Sequence, residues 1–153
     1  MEDFSELKNI SLRLKRMNIK VKLVSLISKA KSEYDRYDYN SGMQTLQEAY
    51  VINPENPVVL RGLGCMKQAC GQYEEAISYY TKALEFSKNK EIEYTLIGTV
   101  YYLQDKPDEA IENFNLAIES NDNYDAAYEG RNQVLLENHL KILDLQEMLK
   151  KYF

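Results

Sequence analysis

Apolar residues recur every three or four positions along most of this chain, and the pattern they make repeats. Setting Leu63-Gly64 against Ile97-Gly98 gives an offset of 34 residues. The same offset carries Ala76 onto Ala110, Tyr80 onto Phe114 and Ala83-Leu84 onto Ala117-Ile118, with Tyr73 and Pro107 at a matching turn. In the other direction it carries Tyr73 onto Tyr39, Tyr80 onto Leu46 and Ala83 onto Ala49. A period of this length predicts a stack of supersecondary units, none of which buries its apolar face alone. The spacing within each unit is helical, with room for two antiparallel helices of about 12–14 residues and a short turn. Small residues (Gly64 or Gly98 on the first helix, Ala76 or Ala110 on the second) allow close approach, while Leu63, Tyr80 and Phe114 fill the space between. Asn56-Pro57 supplies a cap followed by Pro at the first helical position. Lys106-Pro107-Asp108-Glu109 starts a second helix in a similar way, with acids at the positive end of the dipole.

These positions resemble the tetratricopeptide repeat, whose pattern sets an aromatic residue, Leu-Gly, a Tyr, a small residue, an aromatic residue, Ala and Pro at fixed places. The units fall at 23–56, 57–90 and 91–124. The first departs from the pattern, with Lys29-Ala30 where Leu-Gly is usual and Gly42 where Ala is usual, but it keeps Ala49 and Pro54. The resemblance implies an all-α fold, a right-handed superhelical solenoid of antiparallel helix hairpins whose first helices line a concave groove. Position by position, that groove takes Val24, Ile27, Lys31 and Tyr34 from the first unit and Val58, Arg61, Cys65, Gln68 and Ala69 from the second. The third unit adds Ile92, Thr95, Thr99 and Tyr102, and the helix after it Glu129 and Gln133. Members that grip a partner's C-terminal carboxylates carry Lys and Asn at set groove positions. Ile27 with Lys31, and Arg61 with Cys65, stand there instead, so that clamp is not expected here. Tyr34 and Tyr102 are expected to face the groove, and Tyr73, Tyr80, Tyr94, Tyr101 and Tyr128 to pack between units.

Two segments flank the repeats. Residues 3–17, within an N-terminal segment 1–22, read as an amphipathic helix with Phe4, Leu7, Ile10, Leu14 and Met17 on one stripe and Lys8, Lys15 and Arg16 away from it. It is expected to cap the first repeat, the alternative being a docking helix for an acidic partner, an anionic membrane or nucleic acid. Residues 125–153 begin like a further first helix, with Tyr128 at the aromatic position and Arg131-Asn132 replacing Leu-Gly. They end in an apolar tail containing Leu135, Leu136, Leu140, Ile142, Leu143, Leu145, Met148 and Leu149. A polar capping helix is what a solenoid end requires. The tail is therefore expected to bend near Glu137-Asn138-His139 into a hairpin, or else to run straight and meet a second protomer.

Charge sharpens this picture. Residues 1–6 carry three acids and no base, residues 7–32 eight bases and no acid, and residues 33–153 a net charge of −10. The acidic body disfavours nucleic acid, because it repels phosphate. With 153 residues, 44% of them apolar, the chain has enough core to need no disulfide or metal. Cys65 and Cys70, five positions apart on one helix, point roughly 140° apart, so they are expected to be reduced thiols rather than a disulfide or a zinc site. The acidic start Met1-Glu2-Asp3 does not look like a signal peptide, and no apolar run approaches membrane-spanning length. A cytoplasmic location is the expectation. No phosphate loop, metal spacing or catalytic constellation is present, and Gly62-Leu63-Gly64 lies in a helical pattern, not after a strand. His139 is the sole histidine and is expected on the capping helix; the acids are expected on solvated faces. No cofactor is implied.

The functional expectation is a non-catalytic module, an adaptor, scaffold or chaperone, that holds a protein or peptide in its groove. In size and organisation the chain is also similar to the small repeat chaperones of type III secretion, which hold translocator proteins. A self-assembling protein, joined through the basic N-terminal segment and the apolar tail, is the rival reading, with a homodimer as its simplest form.

Overall fold

A computed structural model describes residues 4–152. Met1, Glu2 and Asp3, the acidic start, lie outside the described residues, as do Phe153 and the side chains of Phe4 and Tyr152. The described chain forms seven α-helices: α1 (Phe4–Asp35), α2 (Tyr39–Ile52), α3 (Pro57–Ala69), α4 (Tyr73–Phe86), α5 (Lys90–Leu103), α6 (Pro107–Ser120) and α7 (Asp125–Tyr152). Each helix packs on the next, and α1 also meets α3 as α5 meets α7, which is the stacking of hairpins the period predicts. The second helices begin at Tyr39, Tyr73 and Pro107 and end at Ile52, Phe86 and Ser120, both series in steps of 34.

The turns keep the same beat. Tyr37, Gly71 and Asp105 all have positive φ, at 61°, 73° and 57°. In each turn that residue's N–H donates to the carbonyl three back, and the next N–H donates to the carbonyl five back: Gly71 to Gln68 and Gln72 to Lys67 in the second unit. This is the Schellman arrangement, which satisfies carbonyls orphaned at a helix end and favours glycine at the left-handed position. Only the second unit has it. Tyr37, which is exposed, takes the conformation at a steric cost of about 1–2 kcal/mol. Tyr37→Gly is therefore expected to raise the thermal midpoint by about 2–4 °C per kcal/mol relieved, and Gly71→Ala to lower it by a similar amount. Calorimetry of the two variants checks this, and equal midpoints would contradict it. The inter-unit turns also match: Asn53 Oδ1, Ser87 Oγ and Asn121 Oδ1 each accept from the backbone N–H two residues on.

The core follows the small and large positions of the repeat. Ala76, Ala110, Ala49, Ala83 and Ala117 are buried, as are Leu63, Tyr80 and Phe114. A Cβ on Gly64 would come within 2.4 Å of the Tyr80 ring, and one on Gly130 within 2.6 Å of the Phe114 ring. Each ring therefore sits in a notch that glycine leaves open. The first unit's departure at Gly42 has the same kind of cause: Met66 reaches in from α3, and a Cβ there would lie 2.3 Å from its terminal methyl carbon. The methyl group an alanine would supply is replaced by the end of a neighbour's side chain.

The N-terminal expectation needs correction, and of the two courses open to the tail the structure takes the straight one. The N-terminal segment is not a separate helix that folds over the first repeat. It is the first half of α1, one helix of 32 residues, and residues 5–22 are exposed along its whole length. The tail does not bend at Glu137-Asn138-His139; α7 runs on for 28 residues. No Pro or Gly interrupts α1, or α7 after Gly130, so the intrahelical hydrogen bonds continue without a break. In α7 the side that faces the solenoid, marked by the buried Ala127 and Val134, continues as Glu137 and Lys141. These bond Tyr102 at 2.7 Å and Asp105 at 2.9 Å. The leucines of the tail point elsewhere, at 45–60% exposure.

Candidate functional site

A cavity of about 500 Å³ lies between α1 and α3, floored by Leu46 of α2. Of the residues expected in the groove, Ile27, Lys31, Tyr34, Val58, Arg61 and Cys65 line it together. The first helices bring them there because α1 and α3 lie side by side with their 3.6-residue stripes facing inward. Asn56 sets the start of α3, its side-chain oxygen accepting from Val58 N at 2.9 Å and Val59 N at 3.2 Å. That cap is worth about 1 kcal/mol. The lining is mostly carbon, with Lys31 and Asp35 near Tyr34 and Arg61 as the polar groups.

Arg61 is held from below. Its Nε and Nη2 both donate to Glu93 Oε1, at 2.9 and 2.6 Å. Glu93 is fully buried while the Arg61 side chain is 24% exposed, so the guanidinium is fixed in place with part of its donor edge towards the groove. Glu93 Oε2 is buried without a hydrogen-bond partner. Sequence reasoning missed this residue by assigning the acids to solvated faces. The available signal was its distance from Arg61, 32 positions, close to one repeat, which sets side chains of neighbouring first helices side by side. Glu33 is likewise buried, near Lys29.

A second buried group backs the cavity. The Tyr80 hydroxyl donates to Gln68 Oε1 at 2.8 Å and lies 3.4 Å from Cys65 Sγ. Burial pushes the Cys65 thiol above its ordinary pKa, and the Tyr80 hydrogen bond and the Arg61 charge oppose this less strongly. Burial likewise raises the Tyr80 phenol, with Cys65 adding to the effect. Both groups are therefore protonated at neutral pH, and Cys65 is a packing thiol rather than a nucleophile. Gln68 is engaged beneath the groove rather than offered to a ligand. Partial burial also raises the Tyr34 phenol, which keeps it a neutral donor at the cavity wall.

The rest of the expected groove is arranged differently. Val24 is exposed on α1 outside the cavity, and Ala69 is exposed at the end of α3. Ile92 is half-buried on α5. Thr95 and Thr99 turn their hydroxyls back to the carbonyls of Glu91 and Thr95, each at 2.8 Å. Tyr102 is occupied by α7: its hydroxyl donates to Glu137 Oε1 and accepts from Gln133 Nε2 at 3.1 Å. The Glu137 bond is the main cause of its raised pKa. This network ties α5 to α7 beside the third unit, so the cavity with room for a side chain lies at the first two units. Both cysteines are free thiols. Among the described residues no group of three His, Cys, Asp or Glu is placed to hold a metal ion, and no helix is long and apolar enough to cross a membrane.

Comparison with known proteins agrees with this architecture. A family model described as "Tetratricopeptide repeat" matches residues 55–123. "Tetratricopeptide repeat protein 8" of Caenorhabditis elegans is 25% identical over 120 residues, covering 78% of this chain and 22% of that protein. The chain thus spans about a fifth of that relative's length. Among solved structures, the Sgt2 TPR domain from Aspergillus fumigatus superposes with a TM-score of 0.69 at 21% identity, over 76% of this chain and 79% of that one. The Yersinia enterocolitica type III secretion chaperone SycD, in complex with a peptide of the translocator YopD, superposes with a TM-score of 0.67 at 21% identity, over 76% and 94% of the two chains. At these identities the structural likeness is one of fold.

Proposed function

As the chain is a tetratricopeptide-repeat protein, we propose that it is a non-catalytic interaction module that holds a segment of another protein in the groove between α1 and α3. The observation that carries this reading is the cavity of about 500 Å³ with its largely apolar wall and a single anchored guanidinium. Such a site suits one bulky apolar side chain of an extended segment, oriented by a backbone carbonyl or carboxylate on Arg61. Tyr34 and Lys31 form the adjoining wall, where tyrosine adds contact area at little rotamer cost. A neighbour in fold, SycD, has been captured with a peptide, which supports a groove of this architecture as a peptide site. A likeness of fold does not extend to the partner, so a translocator is not part of the proposal.

Panning a random-peptide display library on the chain, then measuring the selected peptides by fluorescence anisotropy, tests it. Val58 is exposed at the cavity wall, so Val58→Arg fills the site without disturbing the core. This substitution is expected to weaken binding at least tenfold, about 1.4 kcal/mol, with the melting point unchanged. Tyr34→Ala is expected to weaken it less. Selected peptides that bind both variants as well as the parent chain would place the site elsewhere.

A further inference from the structure

The projecting half of α1 carries an organised surface that the groove does not use. Leu7, Ile10, Leu14, Met17, Val21 and Val24 are spaced 3, 4, 3, 4 and 3 residues apart, the a and d positions of three heptads. All are 47–65% exposed. This seam lies on the opposite side of α1 from the face that enters the core through Leu23, Leu26 and Ala30. The solenoid to which α1 belongs therefore does not cover it. Ser11, Asn18 and Ser25 run along one edge of the seam, at the e positions. Arg13 and Lys20 run along the other, at the g positions, while Lys8, Lys15 and Lys22, at the b positions, lie one step beyond the e edge. Between Lys8 and Lys22 there are six bases and no acid.

We propose that this seam docks an acidic amphipathic helix of a partner protein, in a two-helix coiled coil along α1. The alternation is that of a coiled-coil seam, in which a and d residues insert between those of a facing helix and e and g charges select the partner. Charge decides the occupant. Pairing two copies would set Arg13, Lys20 and the outer lysines of both along one seam, with Glu6 as the only neighbouring acid among the described residues. A helix with Glu or Asp at its own flanking positions gains where a second copy repels. An anionic membrane would attract these bases but repel the rest of the molecule, which carries −10 over residues 33–153. A lone helix meets α1 and not the acidic body.

The test uses the whole chain and two synthetic three-heptad peptides with Leu at a and d, one with Glu and one with Lys at every e and g position. The Glu peptide is expected to bind at least about tenfold more tightly than the Lys peptide at low salt, and to weaken as salt screens the pairs. Leu14→Glu, at an exposed position, is expected to abolish that binding without changing the melting point. Equal binding of the two peptides, or binding of neither, overturns the proposal. So does a chain that sediments as a dimer on its own and becomes a monomer on Leu14→Glu, which would assign the seam to a second copy. Leu14-dependent binding to phosphatidylserine vesicles with no affinity for the Glu peptide would assign it to a membrane.

Discussion

Tyr80→Ala is expected to cost about 3–5 kcal/mol of stability, the range for deleting a large buried aromatic side chain. Tyr80 is fully buried on α4, its ring lies in the notch left by Gly64 on α3, and its core cluster includes Ile97 and Val100 of α5. It therefore joins the second hairpin to the third as well as closing the second. The hydroxyl contributes separately. Tyr80→Phe leaves Gln68 Oε1 without its donor, which is expected to cost about 1–2 kcal/mol. Chemical denaturation followed by far-UV circular dichroism measures both. If Tyr80→Ala cost no more than Tyr80→Phe, the ring would not be holding the two hairpins together, and their cohesion would have to come from α5 alone.

Arg61→Met is the second large effect, expected at about 3 kcal/mol or more. It leaves the carboxylate of Glu93 buried with no counter-charge, and breaking one side of a buried pair costs more than the pair itself contributes. Replacing both, as Arg61→Met with Glu93→Leu, is expected to restore most of the loss, because apolar residues of similar volume can fill the same space. A double-mutant cycle measures the coupling directly. A single substitution that costs less than about 1 kcal/mol would mean that water reaches Glu93 and screens it. The double variant also separates stability from recognition. If it folds as well as the parent chain but no longer binds peptides selected on the groove, Arg61 acts on the ligand and not only on its own fold.

Much of the solenoid was legible because its physics is local and repeated. Ala76, Ala110, Tyr80 and Phe114 occupy equivalent places in successive units, and one offset finds them all. Asn56-Pro57 marked the start of α3 because a cap and a fixed φ act within a few residues. The groove was legible in part for the same reason. Ile27, Lys31, Tyr34, Val58, Arg61 and Cys65 come together because first helices stack side by side. The period does not say which end of that groove stays open. Tyr102 carries the signature of a groove residue, yet Glu137 and Gln133 take up its hydroxyl. The turns show a similar limit: Gly71 announces a left-handed residue, whereas Tyr37 and Asp105 adopt the same conformation only because the stacked hairpins demand it.

The sequence by itself determined the helical repeat, its length, the small-against-large packing that closes each hairpin, and the separation of a basic N-terminal stretch from an acidic body. These rest on periodicity and on neighbours within one turn or one unit. The tertiary structure alone decided that Glu93 is buried beneath Arg61, that Met66 fills the place of a methyl group at Gly42, and that α1 and α7 run on past the solenoid with their apolar stripes turned outward. Each of those outcomes depends on what faces a side chain from another helix. For α7 the decisive fact is that, beyond Val134, the side facing the solenoid turns polar with Glu137 and Lys141, so the apolar tail is left outward on an unbroken helix.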